Sequence, residues 1–267
     1  MKCHMIKILL SSVMILFSGY TAKAQQIQTT DIVTDSILCY KTDRLANCKI
    51  IVDYPLNNKT LVDKSIIRHI NSEVGIQSNG NLIDAENKIV CSVDSTFAVV
   101  RNEALMLRNE GMSIYGPFES FISVRKKSEN DKTVTFATTS YSYSGGAHGS
   151  SSYNETTFIK SSGKIIGINI FKDPSSSAFK RLIINGLKKY FNTITDAELK
   201  DCLLYEGSLN KLPLPASNTI SLTKEGVKFT YQQYEIAPYA AGMPEAIIPY
   251  DLIKSHIKAD YLQFLQP

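Results

Sequence analysis

Hydrophobic positions along this chain follow two rhythms, alternation and recurrence every three or four residues, and the two exchange places several times. Ile37–Tyr40 and Lys49–Tyr54 read as strands, and Pro55 ends the second. From Thr60 to Val74, Val62, Ile66, Ile70 and Val74 recur every four residues, Leu61 and Ile67 widen the stripe, and Gly75 closes a predicted helix. Asn79–Cys91 fits neither rhythm cleanly. Ser95 can cap a helix running to about Asn109, with Phe97, Val100, Ala104 and Leu107 on one face and Gly111 as its stop. Phe118–Arg125 and Thr133–Tyr143 are rich in aromatic and β-branched residues and read as strands. In the second, Val134 and Phe136 share one parity while Tyr141 and Tyr143 share the other, which predicts a bulge or a change of face.

Ser144-Gly145-Gly146-Ala147-His148-Gly149 then breaks the pattern. Tyr153–Ile159 and Lys164–Ile170 follow as predicted strands around the turn Ser162-Gly163. Asp173 is expected to cap a helix with Pro174 in its first position and Phe179, Leu182, Ile183, Leu187 and Tyr190 on its apolar face. Thr195 and Glu198 have capping-box spacing for a second, short helix. Thr219–Thr223 and Val227–Gln232 flank a turn at Lys224-Glu225-Gly226, and Tyr234–Pro244 is a loop with two prolines and a glycine. Ala246–Ile248 reads as a short strand and Tyr250–Ile257 as helical. Strands and helices come in blocks, so the expected class is α+β: two packed α/β sub-domains with antiparallel sheets and amphipathic helices, residues 36–160 and 161–267. The stretch Ser161-Ser162-Gly163-Lys164 between them is too short for a flexible linker, and residues 25–35 form a polar lead-in.

The amino terminus changes the picture of where the protein works. Lys2 and Lys7 precede an apolar run, Ile8–Phe17, interrupted only by Ser11 and Ser12, and the small-residue site Ala22-Lys23-Ala24 follows. This predicts a signal peptide over residues 1–24, cleaved before Gln25, and a periplasmic or secreted protein. An uncleaved anchor is the alternative, but the run is about half the roughly twenty residues a bilayer needs. Of 267 residues, 43% are hydrophobic and 20% charged, a globular composition. The net charge of +4 belongs largely to the leader: without Lys2, Lys7 and Lys23 the 29 basic residues fall to 26 against 25 acidic ones. The charge therefore gives no reason to expect nucleic acid or an acidic membrane as partner. No second segment is long and apolar enough to span a bilayer.

Beyond the leader, Cys39, Cys48, Cys91 and Cys202 remain, an even number for an oxidising compartment. A hairpin centred between Asp43 and Arg44 sets Cys39 opposite Cys48, within bridging distance in a non-hydrogen-bonded pair. A disulfide is the expected state and two buried thiols the alternative, while the pairing of Cys91 and Cys202 stays open. The histidines past the leader are His69, His148 and His256, with no His-Glu-x-x-His, no Cys-x-x-Cys and no His at ligand spacing from a Cys, so no metal site is expected. No Gly-x-Ser-x-Gly elbow, dinucleotide fingerprint or P-loop occurs, and no cofactor is expected. His148 sits among glycines, and a hydrolase built on it would need a carboxylate such as Glu155 or Glu235. The plainer reading of the glycine loop is a tight connection requiring positive φ. Tyrosine is common, 14 residues against no tryptophan. Tyr141, Tyr143 and Tyr153 surround the glycine loop, and Tyr231, Tyr234 and Tyr239 the proline–glycine loop. Tyrosine joins a flat apolar face to a polar tip, which suits sugar and protein surfaces as well as cores.

The same loops carry a family resemblance. Tyr141-Ser142-Tyr143-Ser144-Gly145-Gly146-Ala147-His148-Gly149 is followed by Ser162-Gly163-Lys164 and Ile168-Asn169-Ile170-Phe171. Gly226-Val227-Lys228-Phe229 then leads to Tyr234-Glu235-Ile236-Ala237-Pro238-Tyr239-Ala240-Ala241-Gly242 and Ile248-Pro249-Tyr250, and Ile51-Val52-Asp53-Tyr54-Pro55 lies upstream. Over about residues 45 to 258 this order resembles a two-part extracellular family of unknown function. The pair is similar to the outer portion of RsiV-type lysozyme-sensing anti-sigma factors and to the accessory region of PdaC-type peptidoglycan deacetylases. The resemblance implies an envelope-facing α+β domain that binds and need not catalyse, since RsiV-type proteins bind lysozyme with this region. Neither a sigma-binding segment nor a deacetylase domain is recognisable, so neither of those activities is expected. The expectation is a non-catalytic module for a lysozyme-like protein or a peptidoglycan fragment, with a cell-envelope hydrolase using His148, or a purely structural envelope protein, as alternatives. The candidate surface is Tyr143, Gly145, Gly146, His148, Tyr234, Glu235 and Tyr239, on two loops expected to lie near each other.

Overall fold

The computed structural model describes residues 4–8 (backbone only), 31–112, 114–216 and 219–265. His4–Ile8 fall within the predicted leader; the rest of its apolar run, its cleavage site and most of the polar lead-in lie outside the described residues. The larger of two sheets has seven strands in the order β1-β2-β3-β4-β5-β6-β7: His4–Ile8, Thr34–Thr42, Ala46–Pro55, Phe118–Glu129, Thr133–Tyr143, Ser150–Ile159 and Ile165–Ile166. Neighbours run antiparallel except β3 and β4, whose parallel pairing requires a crossover. Helices α1 (Leu61–Val74) and α2 (Leu82–Asn109) supply it. The second sheet is antiparallel, β8 (Ile220–Leu222), β9 (Val227–Thr230) and β10 (Glu245–Ile248) in the order β10-β9-β8, and α3 (Ser177–Phe191) packs on β10. Helices α4 (Asp196–Asp201) and α5 (Tyr250–Ile253) complete the regular helical elements. The architecture is α+β with antiparallel pairing dominant.

Helix α1 begins where Thr60 accepts a hydrogen bond from Asp63 N and Asp63 returns one to Thr60 N, and it ends at Gly75 with φ 70°. Val62, Ile66, Ile70 and Val74 are buried in one cluster with β3, α2, Val134, Phe136 and Phe158, each buried aliphatic contributing about 1.5–3 kcal/mol. Helix α2 starts fourteen residues before the expected Ser95. Asn81 caps it by accepting from Ile83 N and Asp84 N, and Ala85, Ile89, Val93, Phe97 and Ala104 form one buried stripe. Ser95 lies inside the helix and bonds Ser92 O at 3.0 Å. Small Ala85 and polar neighbours hid the first half of that stripe.

Three further expectations are corrected. Cys39 and Cys48 are buried thiols with no disulfide between them. Asp43 Oδ1 accepts from Leu45 N and Ala46 N, moving the hairpin centre one residue along, so Cys39 faces Ile50 and Cys48 faces Lys41. The thiols become diagonal neighbours, and burial pushes Cys48 up to about 11. Lys164–Ile170 contains only the two-residue β7, because Asn169 Oδ1 caps Gly167 N and winds Ile168–Ile170 into a 3₁₀ turn. Ser176, not Asp173, caps α3, while Asp173 closes the preceding turn through Ser175.

The parity change in β5 needs no bulge there: β5 and β6 pair without interruption, and the register shift lies in β4 between Lys126 and Ser128. Both faces of β5 are covered at its start. Val134 and Phe136 face the helices, whereas Thr133 and Thr135 line the seam with Leu222, Thr223 and Tyr250. A second buried cluster joins Ile159 and Ile166 to α3 and the small sheet.

Candidate functional site

The two tyrosine-flanked loops meet beside the outer edge of β6. Strand β7 covers only Thr157 and Phe158 of that edge. Farther along, side-chain amides take the place of a strand. Gln232 Oε1 accepts from Tyr153 N at 3.1 Å, Gln232 Nε2 donates to Tyr153 O at 2.9 Å, and Gln233 Oε1 accepts from Ser151 N at 2.9 Å. These bonds satisfy edge groups that would otherwise be open. They also hold the start of the proline–glycine loop against the glycine loop.

A tight turn follows. Glu235 Oε2 accepts from Gln232 N at 2.7 Å and Glu235 N donates to Gln232 O at 3.1 Å. Between them Tyr234 adopts φ 64°, a left-handed conformation that strains a bulky residue. Tyr234 is 54% exposed. The far side of the loop is tied down by Tyr190 OH donating to Ala241 O at 2.7 Å and by Tyr231 N donating to Pro244 O at 2.8 Å.

His148 fills the gap between the loops. Its ring stacks on Tyr239 with centroids 3.9 Å apart and planes at 17°, and Tyr234 lies tilted at 6.3 Å from His148 and 5.8 Å from Tyr239. His148 Nδ1 lies 3.0 Å from Gly149 O, and Nε2 lies 3.3 Å from Tyr234 OH. A carbonyl can only accept, so Nδ1 carries a proton and donates to Gly149 O, while Nε2 meets the Tyr234 hydroxyl. Gly149 is required here for closeness: a Cβ would come within 2.4 Å of the Tyr141 ring. Burial, then the neighbouring Glu119 and Tyr239, push the Tyr141 hydroxyl above its ordinary range.

The predicted set is therefore divided. His148, Tyr234 and Tyr239 form one cluster. Tyr143 turns away to brace the loop from behind, donating to Gly146 O at 3.2 Å and meeting Phe118 edge-on. Gly145 and Gly146 take φ 89° and 94°, and Gly145 lies against the Phe118 ring. The Glu235 carboxylate is spent on its turn, and burial pushes its pKa up. Tyr141, Gln232 and Gln233 were outside the predicted set; two glutamines directly after a strand were the available signal.

Glu155, named as a partner for His148, lies in a different structure. Its Oε1 accepts from Lys127 Nζ and Lys228 Nζ at 2.6 Å each and from Tyr153 OH at 2.7 Å, and Lys228 also reaches Glu245 at 3.1 Å. Burial raises the Glu155 pKa, but those three hydrogen bonds outweigh it and hold the carboxyl down at about 2. This pairing ties β6 and β4 of the large sheet to β9 and β10 of the small one. His148 touches neither Glu155 nor Glu235 among the described residues. No group of three or more His, Cys, Asp or Glu among them could hold a metal ion.

Two family models match the chain in series. Residues 42–151 match the family described as "Deacetylase PdaC" and residues 169–251 the one described as "Protein of unknown function (DUF3298)". The likeness thus runs through both loops. A crystallised member of the DUF3298 family from Bacteroides fragilis NCTC 9343 superposes with a TM-score of 0.68 at 18% identity, covering 87% of this chain and 97% of that one. A DUF3298 family protein from Pseudomonas aeruginosa PAO1 superposes with a TM-score of 0.57 at 17% identity, covering 90% and 98%. At such identities the shared property is the fold. No curated protein matches the chain. No helix among the described residues is long and apolar enough to cross a membrane.

Proposed function

We propose that the protein is an exported binding module, and that the paired loops carrying His148, Tyr234 and Tyr239 are its recognition surface for a cell-wall component or a wall-degrading enzyme such as lysozyme. The observation that carries this reading is the solvent-facing stack of three rings from two distant segments, each tied down by its own hydrogen bonds. Rigid aromatic side chains give contact area at low entropic cost, and such residues dominate interface energetics. The φ of 64° at Tyr234 supports the same reading, because backbone strain that holds an exposed ring outward does nothing for the core. The likeness to the PdaC and DUF3298 models supports an envelope setting. His148 lacks a carboxylate partner among the described residues, so the hydrolase alternative gains no support.

The test is a binding measurement of the protein against lysozyme and against soluble peptidoglycan fragments, repeated with Tyr239→Ala. Loss of about 2 kcal/mol, roughly 30-fold in Kd, at an unchanged melting temperature is expected. Full affinity in the variant, or no binding to either class, rejects the assignment.

A further inference from the structure

A cavity of about 630 Å³ opens along α1, and none of the aromatic-loop residues lines it. That volume lies in the range of about 300–1,000 Å³ that holds a small ligand. Its walls come from α1, from the Ser78–Gly80 loop, from Asn58 and from Ser162 in the turn between β6 and β7. Both side walls are built by close approach. Gly163, at φ 68°, seats the Ser162 turn so tightly on α1 that a Cβ would lie 2.5 Å from Leu61 O and 2.7 Å from Ser65 Oγ. Gly80, at φ 90°, abuts Asn58, whose Nδ2 lies 3.4 Å from Gly80 O. A third wall is braced from below, where Tyr54 OH meets Ser78 Oγ at 2.6 Å and Ser78 Oγ donates to Asn71 Oδ1 at 2.9 Å.

The lining is one-sided in charge. Lys64 and Arg68, one helical turn apart, are its charged residues, and no acid lines it. Arg68 is held in position by Nε donating to Lys64 O at 3.2 Å and Nη2 donating to Ser65 Oγ at 2.9 Å. Neither cation has an acidic partner among the described residues, whereas Lys127, Lys160, Arg181 and Lys228 all do. The neighbouring carboxylates are spent on helix starts: Asp63 accepts from Thr60 N and Asp84 from Asn79 N. Among the described contacts Lys64 Nζ, Arg68 Nη1, Asn58 Oδ1 and Asn79 Nδ2 remain unused, and Leu61 and Ile67 add an apolar strip.

Two cations one helical turn apart, one of them held in position, call for an anion, and a fork-shaped guanidinium suits a carboxylate. Amides that both donate and accept call for hydroxyl and acetamido groups. An apolar strip suits the C–H face of a ring. We infer that this groove is a second binding site, for a carboxylate-bearing saccharide, with Lys64 and Arg68 on the carboxylate and Asn58 and Asn79 on the ring substituents. The site is independent of the aromatic loops, and either can stand without the other.

The test is an NMR titration of the isotope-labelled protein with N-acetylmuramic acid, with N-acetylglucosamine, which lacks the lactyl carboxylate, and with inorganic phosphate. The expected result is that amides of α1 and Ser78–Gly80 shift with N-acetylmuramic acid and much less with the other two. Affinity should fall by at least about tenfold in the Lys64→Ala, Arg68→Ala double variant and weaken with salt. Both side chains are exposed, so the melting temperature should hold; Asn79→Ala, which leaves the charges intact, should also weaken binding. Equal shifts with phosphate would reduce the groove to a plain anion site and overturn the saccharide assignment. Equal shifts with N-acetylglucosamine would overturn the role of the cations. Shifts confined to the His148 and Tyr239 loops would overturn the groove and leave the loop reading standing.

Discussion

Two of the places where the large and small sheets meet are built from opposite chemistry. At the seam, Glu155 is 3% exposed and gathers Lys127, Lys228 and Tyr153 around one oxygen. At the loops, the rings of His148, Tyr234 and Tyr239 cluster in the open, with one hydrogen bond between His148 and Tyr234. Both contacts join residues more than seventy positions apart. The seam removes charges from water, so each partner depends on the others and the geometry is hard to change without unfolding. The loop contact gives up little solvation, so its residues can be exchanged at small cost to the fold. A surface that must meet a partner belongs in the second class.

The largest expected effect breaks the seam. Glu155→Ala leaves Lys228 buried without its main counter-charge, at a cost of about 3–5 kcal/mol in urea unfolding. A loss under 1 kcal/mol would mean the cluster is solvated. The same cluster sets an acid limit. A carboxyl whose pKa is lowered on folding stabilises above its unfolded value and loses that contribution as pH falls toward the folded value, so the stabilisation from Glu155 fades from about pH 4 down to about pH 2.

His69 acts in a higher window. Burial pushes it down to about 4, with Phe158 edge-on and Thr138 Oγ1 at 3.3 Å. The unfolded chain then binds the proton first, so stability falls as pH drops from about 6.5 to about 4, by about 2–3 kcal/mol. Glu73, 3.7 Å away, is pushed up by burial and offsets part of this near the bottom of the window. His69→Gln should flatten a plot of stability against pH between 6.5 and 4; an unchanged slope would assign the effect elsewhere.

The α+β class was legible because its signals are local: the Val62, Ile66, Ile70, Val74 stripe and the Thr195–Glu198 capping box each lie within a few turns of chain. The seam was not legible. Lys228 and Glu155 stand among ordinary strand residues, and only the packing of β9 against β6 makes them a pair. The cysteine register failed for a smaller reason, a single aspartate cap that shifted the hairpin by one residue. Within the loops the aromatic residues were visible, but the glutamines that pin them act on a strand about eighty residues away.

The glycine loop gives the next test. Gly149→Ala would drive a Cβ to within 2.4 Å of the Tyr141 ring, forcing the ring or the glycine loop to move. Overpacking of this kind costs about 1–3 kcal/mol. Intrinsic fluorescence and melting should both change; a variant as stable as the parent would show that Tyr141 has room to swing away.

The smallest effect separates the two regions most sharply. Tyr234 holds φ 64°, a conformation that asparagine tolerates far better than a bulky aromatic residue. Tyr234→Asn relieves that strain while losing the tilted contacts to His148 and Tyr239. Because Tyr234 is half exposed, little burial is lost, and stability should rise by a few tenths to about 1 kcal/mol. Affinity for the partner should fall at the same time. A residue that merely holds the loops together would move both quantities down, as Glu155→Ala is expected to do at the seam. Opposite signs for stability and binding at Tyr234 would mean that the fold bears strain there to present the ring; a joint fall would make the loop cluster a second seam.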